Sequence, residues 1–191
     1  MARTPLPTEF ATQKEAILGG AFFVLPCEVV SLMQKVKLLA ERQSVLGKLL
    51  GEAMTESSET FHDNAPAEAI RDESGLVLSQ FNVINKVLRN AGKIEYPTES
   101  SCLAIGNTVS VTFNGSPIVA NFFVTGYTRQ VVTNNLIGLS QDTEIISAGT
   151  PLGLCLLEKK VGDEVKLELP SRRPQDLTIV GIGAVTLNEL V

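Results

Sequence analysis

One histidine and no tryptophan stand among 191 residues, and the cysteines number three. The lone histidine, His62, leaves a serine or cysteine nucleophile without a base of the common kind, which excludes the usual hydrolytic triads. Cys27, Cys102 and Cys155 are odd in number and far apart. They make neither a zinc-ligand spacing nor a disulfide framework, and they fit reduced thiols in the cytoplasm. No glycine-rich phosphate loop is present, since Gly181 and Gly183 fall in or beyond the last expected strand with no helix to follow. An excess of positive charge is missing too. With a net charge of -5, the chain cannot bind nucleic acid through its overall field, so any work near nucleic acid requires another protein to hold it there. Nor is there a membrane span. The longest apolar run, Ala16 to Leu25, has ten residues, too few to cross a bilayer. Arg3 and Lys14 before it are balanced by Glu9 and Glu15. We therefore expect an element packed at the base of a neighbouring structure, with a secretory signal as the alternative.

What the sequence does have is a long helical pattern. Val29, Leu32, Val36, Leu39, Leu46, Leu50 and Ala53 alternate at spacings of three and four, with Gln43 as the exception. Ile70, Val77, Phe81, Ile84, Leu88 and Ala91 repeat the pattern, with Ser74 as the exception. Stripes this narrow need a partner helix. The two arms predict an antiparallel coiled-coil hairpin over residues 27–94, with a polar tip near 55–67 that Pro66 helps to interrupt. Gly47 allows a bend in the first arm, and Gly92 is expected as a left-handed cap on the second. Residues 1–26 read as a leader and base segment, and 95–101 as a linker.

From residue 102 the texture becomes stranded. Val109, Val111 and Phe113 alternate with polar neighbours, and Asn114-Gly115 predicts a tight hairpin turn into a second strand with Ile118, Ala120, Phe122 and Val124. Further strands are expected at Val165–Leu169 and Leu177–Ile182, and a short helix opens at Thr150-Pro151. The class is α+β: a helical hairpin, then a small, mostly antiparallel sheet. Carboxylates cluster at the tip, where Glu56, Glu59 and Asp63 precede Glu68 and Asp72. Acids on a projecting finger can be delivered into another protein's cleft, where they can ligate or orient a hard cation.

Two stretches resemble the bacterial GreA/GreB family of transcription elongation factors. Gly149-Thr-Pro-Leu-Gly-Leu-Cys-Leu-Leu-Glu-Lys-Lys-Val-Gly-Asp163 is similar to that family's Ser-Pro-Leu-Gly-x-Ala-Leu-x-Gly-Lys-Lys-x-Gly-Asp segment. The spacing from Asp63-Asn64-Ala65 to Asn90-Ala91 also agrees without a gap, and Arg71 and Gly75 fall on familiar positions. The resemblance implies that residues 102–191 form an FKBP-like domain docking on bacterial RNA polymerase. The hairpin would then enter the secondary channel, in indirect contact with nascent RNA. It implies a cytoplasmic accessory factor rather than an enzyme, with no cofactor of its own and Mg²⁺ shared with the polymerase. Asp63 and Glu59 are then the acids assisting catalysis, with Asp63 near the metal, and Asn64, Arg71, Thr150 and Pro151 are partner-binding residues.

The tip departs from the family pattern. Where the family reads Asp-Leu-x-Glu-Asn-Ala-Glu-Tyr, this chain reads Thr60-Phe-His-Asp-Asn-Ala-Pro-Ala67. The second acid is one methylene shorter, the first is a threonine, and the family's preceding basic residue is Glu56. Weak stimulation of transcript cleavage, or channel occupancy without cleavage, is the resulting expectation. Two other classes compete with it. One is a peptidyl-prolyl isomerase whose pocket would draw on Phe113, Phe122, Phe123 and Tyr127; the other is a non-catalytic coiled-coil interaction protein.

Overall fold

A computed structural model of the chain describes residues 11–56, 65–98, 101–127, 139–170 and 173–185. These residues divide into two compact units. One spans Val30–Asn90; the other combines Met1–Val29 with Ala91–Val191.

The first unit is made from two helices, α2 (Pro26–Glu56), which starts in the other unit, and α3 (Ala65–Asn90). The expected seam forms. Leu39, Leu46 and Val77 are buried together, with Ile70, Phe81 and Ile84 packed against them. The antiparallel sense follows from contacts that run backwards along α3 as α2 advances: Gln43 meets Ser74, while Met54 meets Arg71. Gly47 sits inside a continuous helix. The helices reach closer to the tip than the sequence implied, because α3 takes Pro66 into its first turn, where a missing N–H costs nothing.

The second unit begins with α1 (Gln13–Leu18), capped by Thr12, whose side chain accepts from the Glu15 N–H at 3.2 Å. The apolar run is thus part helix and part strand. Phe23–Val24 forms β1, paired in parallel with β2 (Gly92–Lys93). Gly92 is therefore not a left-handed helix cap. It is a strand residue, and a side chain there would press on the Phe23 ring. Ala16, Phe23, Leu25 and Cys27 are buried in one core with Leu103, Ile105, Phe123, Leu156, Leu177 and Ile179.

The five-stranded sheet has the order β5-β4-β3-β7-β6. Its strands are β3 (Asn107–Phe113), β4 (Val119–Thr125), β5 (Thr143–Ser147), β6 (Glu164–Leu167) and β7 (Gln175–Ala184), with α4 (Pro151–Leu156) between β5 and β6. All pairs are antiparallel except β4–β5. Asn114 and Gly115 both take positive φ, and the Ser116 N–H closes a turn on the Phe113 carbonyl at 2.8 Å. Because Thr112 pairs with Val119, the connection is longer than the tight two-residue hairpin expected. Phe122, Phe123 and Val124 are buried in succession. Neighbouring residues point to opposite faces of a strand, so both faces of β4 are covered here. No helix among the described residues is long and apolar enough to cross a membrane.

Candidate functional site

On the sheet unit the candidate surface is the exposed start of α4. Thr150 is in extended conformation as its N-cap. The Thr150 hydroxyl accepts from the Gly153 N–H at 3.2 Å and donates to the Ser147 carbonyl at 2.7 Å. Pro151 occupies the first turn, where its fixed φ suits the helix. Gly153 is buried, and a Cβ there would overlap the Ser147 carbonyl oxygen. The helix can lie this close to the end of β5 only because Gly153 has no side chain. Ser147 donates in turn to the Tyr127 carbonyl at 3.0 Å. Thr150 and Pro151 are thus both exposed on a mount with little freedom to shift.

The rest of the motif is a turn. Glu158 takes positive φ as its N–H bonds the Leu103 carbonyl at 2.8 Å, and Leu103 N–H returns to Lys159. Asp163 accepts from the Lys160 N–H at 2.9 Å, and Gly162 turns through φ +90 to reach Ile179. Local backbone geometry therefore accounts for Gly162 and Asp163.

Beneath this surface lies a residue that sequence reading missed. Glu28 is fully buried. One of its carboxylate oxygens accepts from the Leu25 N–H at 2.9 Å and the Gly126 N–H at 3.0 Å, and the other accepts from the Tyr127 N–H at 2.9 Å. It ties the first turn of α2 to the end of β4. The one local signal was an acid in a helix's first turn, which suits the dipole there. Cys27, its neighbour, is also buried. Burial pushes its thiol pKa up, with the Tyr96 hydroxyl opposing the rise and Glu28 adding to it. Burial likewise raises Cys155, partly offset by Lys14. All three cysteines are free thiols.

On the hairpin, Glu59, Thr60, His62, Asp63 and Asn64 lie outside the described residues. Arg71 is exposed on α3, and its guanidinium rests 3.7 Å from the Met54 sulfur on the other arm. Among the described residues no three His, Cys, Asp or Glu side chains gather as metal ligands. The aromatics proposed for an isomerase pocket are largely drawn into packing. Phe123 is fully buried, Phe113 stands edge-on to Phe122, and Tyr127 stands edge-on to Phe22.

A family model described as "Transcription elongation factor, GreA/GreB, C-term" matches residues 100–184, which span the sheet from before β3 to the end of β7. The GreA of Macrococcus caseolyticus is 31% identical over 124 residues, 63% of this chain and 71% of that one. This chain belongs to the GreA/GreB family. The GreA of Saccharopolyspora erythraea is 26% identical over 149 residues, covering 78% of this chain and 86% of its own. The GreA factor homolog 1 of Thermus thermophilus is a looser likeness, with 21% identity and a TM-score of 0.36 over 86% of this chain and 99% of its own. As a GreA/GreB-family member the protein is a transcription elongation factor, and the Thr150-Pro151 cap lies within the matched stretch.

Proposed function

We propose that this protein binds bacterial RNA polymerase through the Thr150-Pro151 cap of its sheet unit and presents the end of its helical hairpin to the secondary channel. The observation that carries the reading is the cap itself: an exposed Thr-Pro pair, held by Gly153 against β5, inside the stretch matched by the GreA/GreB family. Asp63 and, beside the altered Thr60, Glu59 are the carboxylates that would add oxygen ligands to the polymerase's Mg²⁺. Bound there, the ion supplies charge stabilisation for hydrolysis of backtracked RNA. Asn64 and Arg71 would contact the channel wall. With a shorter second acid and a neutral first one, the protein occupies the channel more effectively than it stimulates cleavage.

The isomerase reading is disfavoured, because Phe123 and Phe122 are committed to the core. Binding to purified bacterial RNA polymerase tests the docking surface. Changing Thr150 and Pro151 together to alanine is expected to weaken binding at least about tenfold, a loss of roughly 1.4 kcal/mol, with both units still folded. Unchanged affinity in the folded variant would remove the cap from the interface. Failure of the unmodified protein to bind would remove the whole reading.

A further inference from the structure

Each of the two apolar stripes of the hairpin is interrupted by one polar residue, Gln43 on α2 and Ser74 on α3. Gln43 lies four residues after Leu39 and three before Leu46, while Ser74 lies four after Ile70 and three before Val77. The two exceptions face one another: the Gln43 side-chain amide donates to the Ser74 hydroxyl at 2.6 Å. Next to them, Arg42 Nε donates to a Glu73 carboxylate oxygen at 2.8 Å. Arg42 and Gln43 are adjacent on one arm and Glu73 and Ser74 are adjacent on the other, so the two contacts mark the same alignment of the arms to within about a residue. The Gln43 side-chain oxygen is buried and meets no donor among the described residues. An apolar pair would fill this layer with less desolvation, so the role of the polar pair lies in specificity rather than stability.

The specificity in question is register. If one arm slides past the other by a heptad, Gln43 faces Phe81 or Ala67, and Ser74 faces Leu50 or Val36. All four are apolar, so in either shifted alignment the amide and the hydroxyl lose each other and face apolar side chains. The same slide takes Arg42 from Glu73 to Gln80 or Pro66. A seam without the polar layer would discriminate poorly between these alignments, whereas a buried amide and hydroxyl find each other in only one.

We propose that Gln43 and Ser74 form the register lock of the hairpin, with Arg42–Glu73 as its exposed companion. The lock sets the relative alignment of Glu56 and Ala65, the residues at which the two arms end. It does not rest on the polymerase reading above.

The test measures distances between nitroxide labels at Gln34 and Asn82, both exposed, introduced through a bio-orthogonal amino acid in the full-length protein without polymerase. A one-heptad slide displaces one arm by about 10 Å. The unmodified seam is expected to give one narrow distance. Q43L combined with S74A is expected to keep its helical circular dichroism, melt no earlier, and split into two distance populations. The reversed pair, Q43S with S74Q, is expected to return to one. If Q43L/S74A does not fold, Q43A/S74A takes its place with the same expectation. A single unshifted distance in the folded apolar variant overturns the proposal, as does a split distribution in the reversed pair. Since polymerase is absent, failure of the polymerase reading leaves this result untouched.

Discussion

The two units bury their apolar residues in different ways. In the sheet unit the core is contiguous from Ala16 through Ile179, and it draws together α1, the strands and α4. In the hairpin the core is narrow: Leu39, Leu46 and Val77 lie together with half-buried neighbours, and Leu32, Ala67 and Val87 are also buried, while Leu38, Val45, Leu76 and Val83 remain exposed. A core fed from several directions tolerates the loss of any one contact better than a narrow one does. The hairpin therefore depends on each seam residue, and the sheet unit depends more on the polar ties that fix its loops. An element with so narrow a core belongs to the low-stability end of a protein.

That contrast can be broken most forcefully at Leu39. Leu39→Asp places an unpaired carboxylate in the narrow core and is expected to destabilise the hairpin by about 3–5 kcal/mol. Lys37→Asp on the exposed face should stay within about 0.5 kcal/mol. Helical circular dichroism during urea unfolding reads the hairpin. The sheet unit has its own reporter, because both tyrosines, Tyr96 and Tyr127, lie in it and the chain has no tryptophan. Equal losses for the two variants would mean that this core is not what holds the arms together.

The polar ties of the sheet unit are probed at Glu28. Glu28→Gln keeps the shape but turns an NH₂ group towards backbone donors, leaving at least one buried N–H unpaired. A loss of about 1–3 kcal/mol is expected, read by tyrosine fluorescence. No loss would show that the three hydrogen bonds to Glu28 are dispensable.

A smaller effect sharpens the same comparison at alkaline pH. Burial raises the pKa of both the Cys27 thiol, ordinarily at 9.0, and the Tyr96 phenol, ordinarily at 10.0. A group raised in the folded state contributes stability that is complete below its unfolded pKa and disappears as pH climbs through the folded value. The sheet unit should therefore weaken above about pH 9, and Cys27→Ala should flatten part of that decline. An identical alkaline profile in the variant would exclude Cys27 as a source.

Legibility in the sequence followed distance along the chain. The Asn114-Gly115 turn and the Thr150 cap were readable because their partners lie within a few residues. The seam was readable because its period is a local property. Gln43 and Ser74 appeared only as interruptions of two stripes, and their pairing needed the arms to be docked. Glu28 was invisible, since two of its three donors lie 98 and 99 residues away. β5 was missed because Ile145 and Ile146 are buried in succession, which breaks the alternation that marks a half-exposed strand. The acids proposed to act at the polymerase metal, Glu59 and Asp63, lie outside the described residues, so their proposed chemistry rests on the family pattern and its departures here.

Those departures are best tested by the rate of transcript cleavage in a stalled, backtracked complex of purified bacterial RNA polymerase. This protein is expected to bind but to stimulate cleavage roughly 30- to 150-fold less than a family member with both tip acids, equivalent to about 2–3 kcal/mol of lost transition-state stabilisation. The double change Thr60→Asp with Asp63→Glu should recover much of the difference. Full stimulation by the unmodified protein, or no gain from restoring both acids while binding persists, would contradict that expectation.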